Sequence, residues 1–232
     1  MATAVATSEF TGFRPEAVEF LAELAQNNDR TWFQPRKADY ERLLKRPLEA
    51  LCVALAERFE ARGLPLHADP VRSPFRIYRD VRFSRDKSPY KTHLGADFPW
   101  HEARGDAPHH GPGGYFHMGP GEIYAGGGMW HPEPAKLGAW RRVVDSDPAR
   151  VHDAIDDPAF VARFGGITGD TLSRVPKGYA NDHPDAELLK HKDVTFGRRL
   201  SDEEAFSPDL PDVLVETWAD AVPVMRLLAS LG

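Results

Sequence analysis

The sequence predicts an α+β fold: an antiparallel β-sheet with helices packed on one face, and helices at both the N- and the C-terminal end. Three observations predict it. Apolar residues recur at helical spacing over 18–59 and again over 210–228. Over residues 75–98 the apolar period shortens to two, which is the strand period, and two more short strands follow at 114–118 and 122–129. Turn signals at Ser84–Pro89 and at Gly119-Pro120-Gly121-Glu122 separate neighbouring runs, so consecutive strands are expected to pair.

The elements follow in order. Residues 1–8 form a small-residue tail, expected to be flexible, and 9–232 a single domain. Arg14-Pro15-Glu16 opens a helix, with Pro early and an acid in the first turn. Val18, Leu21, Leu24 and Ala25 carry its stripe, and Asn27-Asn28-Asp29 stops it. A second helical run holds Tyr40, Leu43, Leu44, Leu48, Leu51, Leu55 and Phe59 on one stripe and ends at Gly63. Pro47 interrupts it, so a kink or break is expected there. Strands are expected over 75–83, 90–98, 114–118 and 122–129, with a short one at 193–197. Residues 101–114 are rich in Gly, Pro and His and read as a loop. Helices return at 133–145, 147–155 and 158–164. A last one runs from Ser207-Pro208 to 230, with a kink at Pro223.

Composition limits the function classes. A chain of 232 residues, 41% hydrophobic and 28% charged, can bury a core without staples, roughly 70% of its extended surface. One cysteine, Cys52, excludes a disulfide framework and any zinc site of two thiolates; within its helical stripe it reads as an inert small hydrophobe. No apolar run approaches a membrane span, and the start MATAVATSEF lacks a signal-peptide pattern, so a soluble, cytoplasmic protein without a membrane partner is expected. Walker and dinucleotide patterns are both missing, so no cofactor is predicted. The net charge of −6 is uneven. Residues 72–91 hold five Arg and two Lys against two Asp, a net of +5, which leaves −11 for the rest. Such a chain is not a general nucleic-acid binder, but it suits a local anion site.

The first hairpin carries that charge. Alternation puts Phe75, Ile77, Val81 and Phe83 on one face and Arg76, Tyr78, Asp80 and Arg82 on the other. A register with Phe83 opposite Tyr90 keeps the apolar sets together. It sets Arg76 against Asp97, Asp80 against His93, and Arg82 against Lys91. The last pair is like-charged and calls for an anion, or an acid from elsewhere, between them. Arg76 and Arg82 lie about 20 Å apart along such a strand, so only an extended ligand uses both. Arg79 falls among the apolar positions, so it either turns out at a β-bulge or is buried and paired.

The second hairpin puts Phe116, Met118, Ile123, Ala125 and Met129 on one face, with Tyr115, His117, Glu122 and Tyr124 on the other. Gly126-Gly127-Gly128 marks close approach of a ligand or another backbone. If both hairpins share a sheet, its polar face gathers histidines, tyrosines and arginines, a composition closer to a pocket lining than to a solvated face. No HExxH pattern or i,i+4 histidine pair is present, so no metal is predicted; the one conceivable set is His93, His117 and Asp80.

The segments FTGFRPEAVEFLAELAQNNDRTWF, FRIYRDVRFSRDKSPYKTHLGADF and GGYFHMGPGEIYAGGGMWHPEP resemble an uncharacterised bacterial and fungal family, domain of unknown function 2461. The resemblance spans about 9–230 and extends to RVPKGYANDHP and LLKHKDVTFGRRL. It implies no established activity, cofactor or catalytic residue.

The function expected from the residues is binding, with processing left open, of a small anionic ligand such as a phosphate ester or carboxylate. Arg76, Tyr78, Arg79, Arg82, Lys91, Tyr115, His117 and Tyr124 would bind it, and His93 oriented by Asp80 would serve as general acid/base. An interaction module for an acidic protein or nucleic acid is the alternative, and a metal-dependent hydrolase the second.

Overall fold

The computed structural model describes residues 9–100 and 111–231. The tail expected at 1–8 and most of the His-rich loop, including His109 and His110, lie outside the described residues.

In chain order the elements are α1 (Pro15–Gln26), α2 (Arg30–Phe33), a 3-10 turn (Gln34–Arg36), α3 (Lys37–Tyr40), a π-helical turn (Glu41–Lys45) and α4 (Arg46–Arg62). Then come β1 (Leu94–Pro99), β2 (Gly113–Gly119), β3 (Glu122–Met129), α5 (Pro134–Ser146), α6 (Pro148–Ile155), α7 (Pro158–Phe164) and α8 (Ala186–Lys190). The chain ends with β4 (Val194–Arg199), α9 (Asp202–Phe206), α10 (Leu210–Ala219) and α11 (Val222–Ala229). The strands form an open antiparallel sheet in the order β1-β2-β3-β4, and the fold is α+β as the sequence predicts.

The chain divides into two compact units. The first runs to Phe98 and adds Tyr115–Ala125 and Arg199–Val215. Its α1 starts at Pro15 and buries Ala17, Phe20, Leu21 and Leu24. Asp29 caps α2 by accepting from the Trp32 amide at 2.9 Å. The kink or break expected at Pro47 is a π-helical turn: Lys45 and Arg46 keep helical dihedrals, Pro47 has no N–H to close the turn before it, and Gly63 ends the helix in the left-handed region. Phe59 of α4 meets Phe98 edge-on at 6.0 Å and Phe13, in the segment entering α1, stacks on Phe116 at 5.8 Å, so α4 and that segment pack on the apolar side chains of β1 and β2.

The second unit comprises Pro99–Gly114, Gly126–Arg198 and Glu216–Gly232. Helices α5, α6 and α7 each begin with proline in the first turn, behind an acidic N-cap residue. Asp147 and Asp157 accept first-turn amides. Its core holds Trp140, Phe160, Phe196 and Trp218, all nearly or fully buried. The kink expected at Pro223 is a break, with Pro223 in the first turn of α11. Among the described residues no helix is long and apolar enough to cross a membrane.

The sequence expectation fails at the first strand. Residues 75–83 form no strand. Two isolated bridges remain, Pro74 with Ala96 and Tyr78 with Tyr90. Tyr78, not Phe83, faces Tyr90, a slip of five; Pro74, not Ile77, faces Ala96, a slip of three. Both slips are odd, so the side chains exchange faces. Phe75 accordingly meets Tyr115 and Lys91, and Tyr78 meets Tyr90. Four steps separate Pro74 from Tyr78 while six separate Tyr90 from Ala96, so the second segment carries two extra residues, at the Thr92–His93 bend.

The cause lies in the loop. Arg79 donates to Asp86, Arg82 grips Asp80 (Nη2 to Oδ2 2.6 Å), and Lys87 donates to the Val81 carbonyl at 2.9 Å. Asp86 accepts from the Ser88 amide and hydroxyl. The segment therefore satisfies its own charges and polar groups, and the ladder closes early, with the Arg79 amide on the Pro89 carbonyl. Phe83, expected inside, is 96% exposed.

Candidate functional site

The polar face of the first unit's strands is built around a column of rings. His93 stacks on His117 at 4.7 Å, and His117 on Tyr124 at 4.7 Å. Strand alternation places them: His117 and Tyr124 lie between buried Phe116 and Met118 and between buried Ile123 and Ala125. The Tyr115 hydroxyl sits 3.2 Å from His117 Nδ1 and pairs with the Tyr124 hydroxyl. Phe75 leans on Tyr115 at 5.8 Å, and the Lys91 ammonium lies over the Phe75 ring, 4.7 Å from its centre. Gly95 leaves room for Tyr115, whose hydroxyl would lie 2.9 Å from a Cβ added there.

Burial sets the charges. His93 is pushed down to about 4, first by desolvation and then by His117 and Lys91. Burial lowers His117 as well, opposed by Glu122, whose carboxylate lies 3.7 Å from Nε2. Both imidazoles are thus neutral near pH 7. Lys91 is lowered by burial and then by Arg76. Burial raises Tyr115 and Tyr124, so both phenols keep their protons. The face offers phenol and imidazole N–H donors beside one half-buried ammonium.

The structure brings together His93, Lys91, Tyr115, His117 and Tyr124. Others are elsewhere. Asp80 does not orient His93; its carboxylate is held by Arg82, and that guanidinium draws it down to about 2. Arg82 therefore does not face Lys91. Arg79 is paired with Asp86 but only half-buried, so just the pairing part of the second expected outcome is met. Tyr78 packs on Tyr90, on the opposite side from Lys91. Arg76 is exposed and acts on Lys91 through its field. Among the described residues no three His, Cys, Asp or Glu side chains cluster as a metal ion needs, so His93, His117 and Asp80 do not converge.

A family model described as conserved hypothetical protein (DUF2461) matches residues 16–226. The chain belongs to this family. No curated protein and no solved structure matches it. Every residue of the ring column falls inside the family match.

The three glycines of β3 serve the sheet itself. A Cβ on Gly126 would strike the Phe196 carbonyl, on Gly127 the Gly113 carbonyl, and on Gly128 the Val194 carbonyl. Close backbone approach is thus the reading that holds at this run. Cys52 is fully buried, and burial pushes its thiol far up, so it is inert. Sequence reasoning missed Phe75, which it assigned to the core. Pro89 was the available signal: it cannot donate to a ladder, and the last tip contact runs to its carbonyl.

Proposed function

We propose that the polar face bearing the ring column binds a small anionic ligand, a phosphate ester or a carboxylate, with Lys91 as its anchor. One observation carries the reading: Lys91 is partly buried, has no carboxylate partner among the described residues, and is further strained by Arg76. An unpaired cation in such a place gains most from an incoming anion. His93, His117, Tyr115 and Tyr124 supply donors beside it, and Arg76 adds long-range attraction. His93 binds as a neutral imidazole. A bound anion favours its protonation, so affinity should rise as pH falls.

The test is titration of the full chain with inorganic phosphate and with acetate, followed by the imidazole NMR signals of His93 and His117. Saturable shifts are expected, weakened about tenfold or more in Lys91→Ala, the loss expected for a charged hydrogen bond. Unmoved imidazoles, or Lys91→Ala binding as well as the parent, would overturn the proposal.

A further inference from the structure

We propose a second anion site, separate from the ring column, in a groove between the chain's entry segment and the π-helical turn, with a small phosphate monoester bearing an apolar group as its ligand. The groove has a volume of about 260 Å³. That is below the usual range of roughly 300–1,000 Å³ for ligand pockets, so only a small organic molecule fits. Its cationic lining is Arg14, Arg42 and Arg46, against a single acid, Glu9. Phe10, Leu43, Pro47 and Ala50 supply an apolar lining.

The arginines are not equivalent. Arg42 is held by Asp39 at 2.8 Å and frames the rim. Arg14 and Arg46 are exposed, and among the described residues neither guanidinium has a hydrogen-bond or ion-pair partner. Each offers a planar fork suited to two oxygens of one anion. A phosphate monoester presents three oxygens and close to two charges, enough for both forks; a carboxylate can fill only one. The apolar lining then receives the ester's organic part.

Both walls are fixed before a ligand arrives. Gly12 has φ +96, and a Cβ there would strike the Phe206 carbonyl, so the entry segment is pinned against the start of its own unit's α9–α10 connection. On the other wall, Pro47 lacks the amide that would close the preceding helical turn, which accounts for the π-helical turn carrying Arg42 and Leu43. A preformed groove keeps the ordering cost of binding low. The free arginines inside a concave, partly apolar groove are what point to a ligand here.

The experiment follows the arginine Nε–H NMR signals of the full chain during titration with phenyl phosphate, with phenol and inorganic phosphate as the two halves of that probe. Saturable shifts of Arg14 and Arg46 are expected with phenyl phosphate, with weaker binding of either half. Arg14→Ala and Arg46→Ala should each weaken binding about tenfold, and Arg46→Lys should restore only part of it. Lys91→Ala should leave these shifts unchanged, which separates failure of this site from failure of the ring-column site. No saturable shift at Arg14 and Arg46, or binding unaffected by both alanine variants while circular dichroism shows them folded, would overturn the inference.

Discussion

Gly114 and Trp218 make a quantitative test of packing beneath the sheet. Trp218 is fully buried and donates from Nε1 to the Gly126 carbonyl at 2.8 Å. A Cβ on Gly114 would lie 2.7 Å from Trp218 Cε2 and 2.9 Å from Nε1. Gly114→Ala therefore overpacks the site and should cost about 1–3 kcal/mol. Trp218→Phe removes the indole nitrogen and leaves the Gly126 carbonyl short of a partner, at about 1–3 kcal/mol plus a cavity term. Treated as independent, the two losses add. They are not independent, because the indole atoms lost in Trp218→Phe include those that the new methyl strikes. The double variant should be less destabilised than the sum by about 1–2 kcal/mol. Urea denaturation followed by circular dichroism reads all four proteins, and a shift of about 2–4 °C per kcal/mol gives a thermal check. Additivity within about 0.5 kcal/mol would refute the contact reasoning.

Two further outcomes are expected. His93 has a folded pKa depressed to about 4, below the ordinary histidine value near 6.5. In that interval the unfolded chain binds the extra proton, so stability falls as pH drops from about 6.5 towards 4. His93→Gln should flatten that part of the urea-midpoint profile, and an unchanged slope would contradict the burial account. Tyr90 is 1% exposed, stacks on Phe33 at 4.1 Å, and leaves its hydroxyl without a partner among the described residues. Tyr90→Phe removes only that group, so the urea midpoint should hold or rise; a loss above about 1 kcal/mol would mean the hydroxyl is satisfied.

Periodicity and proline carry most of the fold. Pro15, Pro134, Pro148 and Pro158 sit in the first turns of helices whose starts are legible from the sequence; Pro47 and Pro223, legible only as interruptions, lie behind a π-helical turn and at the start of a separate helix. The second hairpin is equally legible, because Phe116, Met118, Ile123 and Ala125 obey strict alternation around an unambiguous turn. The first hairpin is not. Its alternation is equally clear, yet Val81 and Phe83 follow it for no burial reason. What decides the register is local pairing among Asp80, Arg82, Asp86 and Ser88, a competition that apolar spacing does not register. The site inherits the same division. His117, Tyr115 and Tyr124 can be read from alternation; Asp80 and Arg82 enter the expected site only through the wrong register.

The two extra residues at the Thr92–His93 bend bear on how this stretch can change over time. Because the surplus is even, Lys91 and Gly95 keep a common side across it. A single insertion or deletion between the two bridges would rotate either Lys91 or everything beyond it to the opposite face. Chain length is thus quantised there in steps of two. The self-satisfied loop beyond the Arg79–Pro89 contact hangs outside the ladder and is free of that rule. Length variation among relatives should therefore accumulate in the loop and skip odd numbers at the bend.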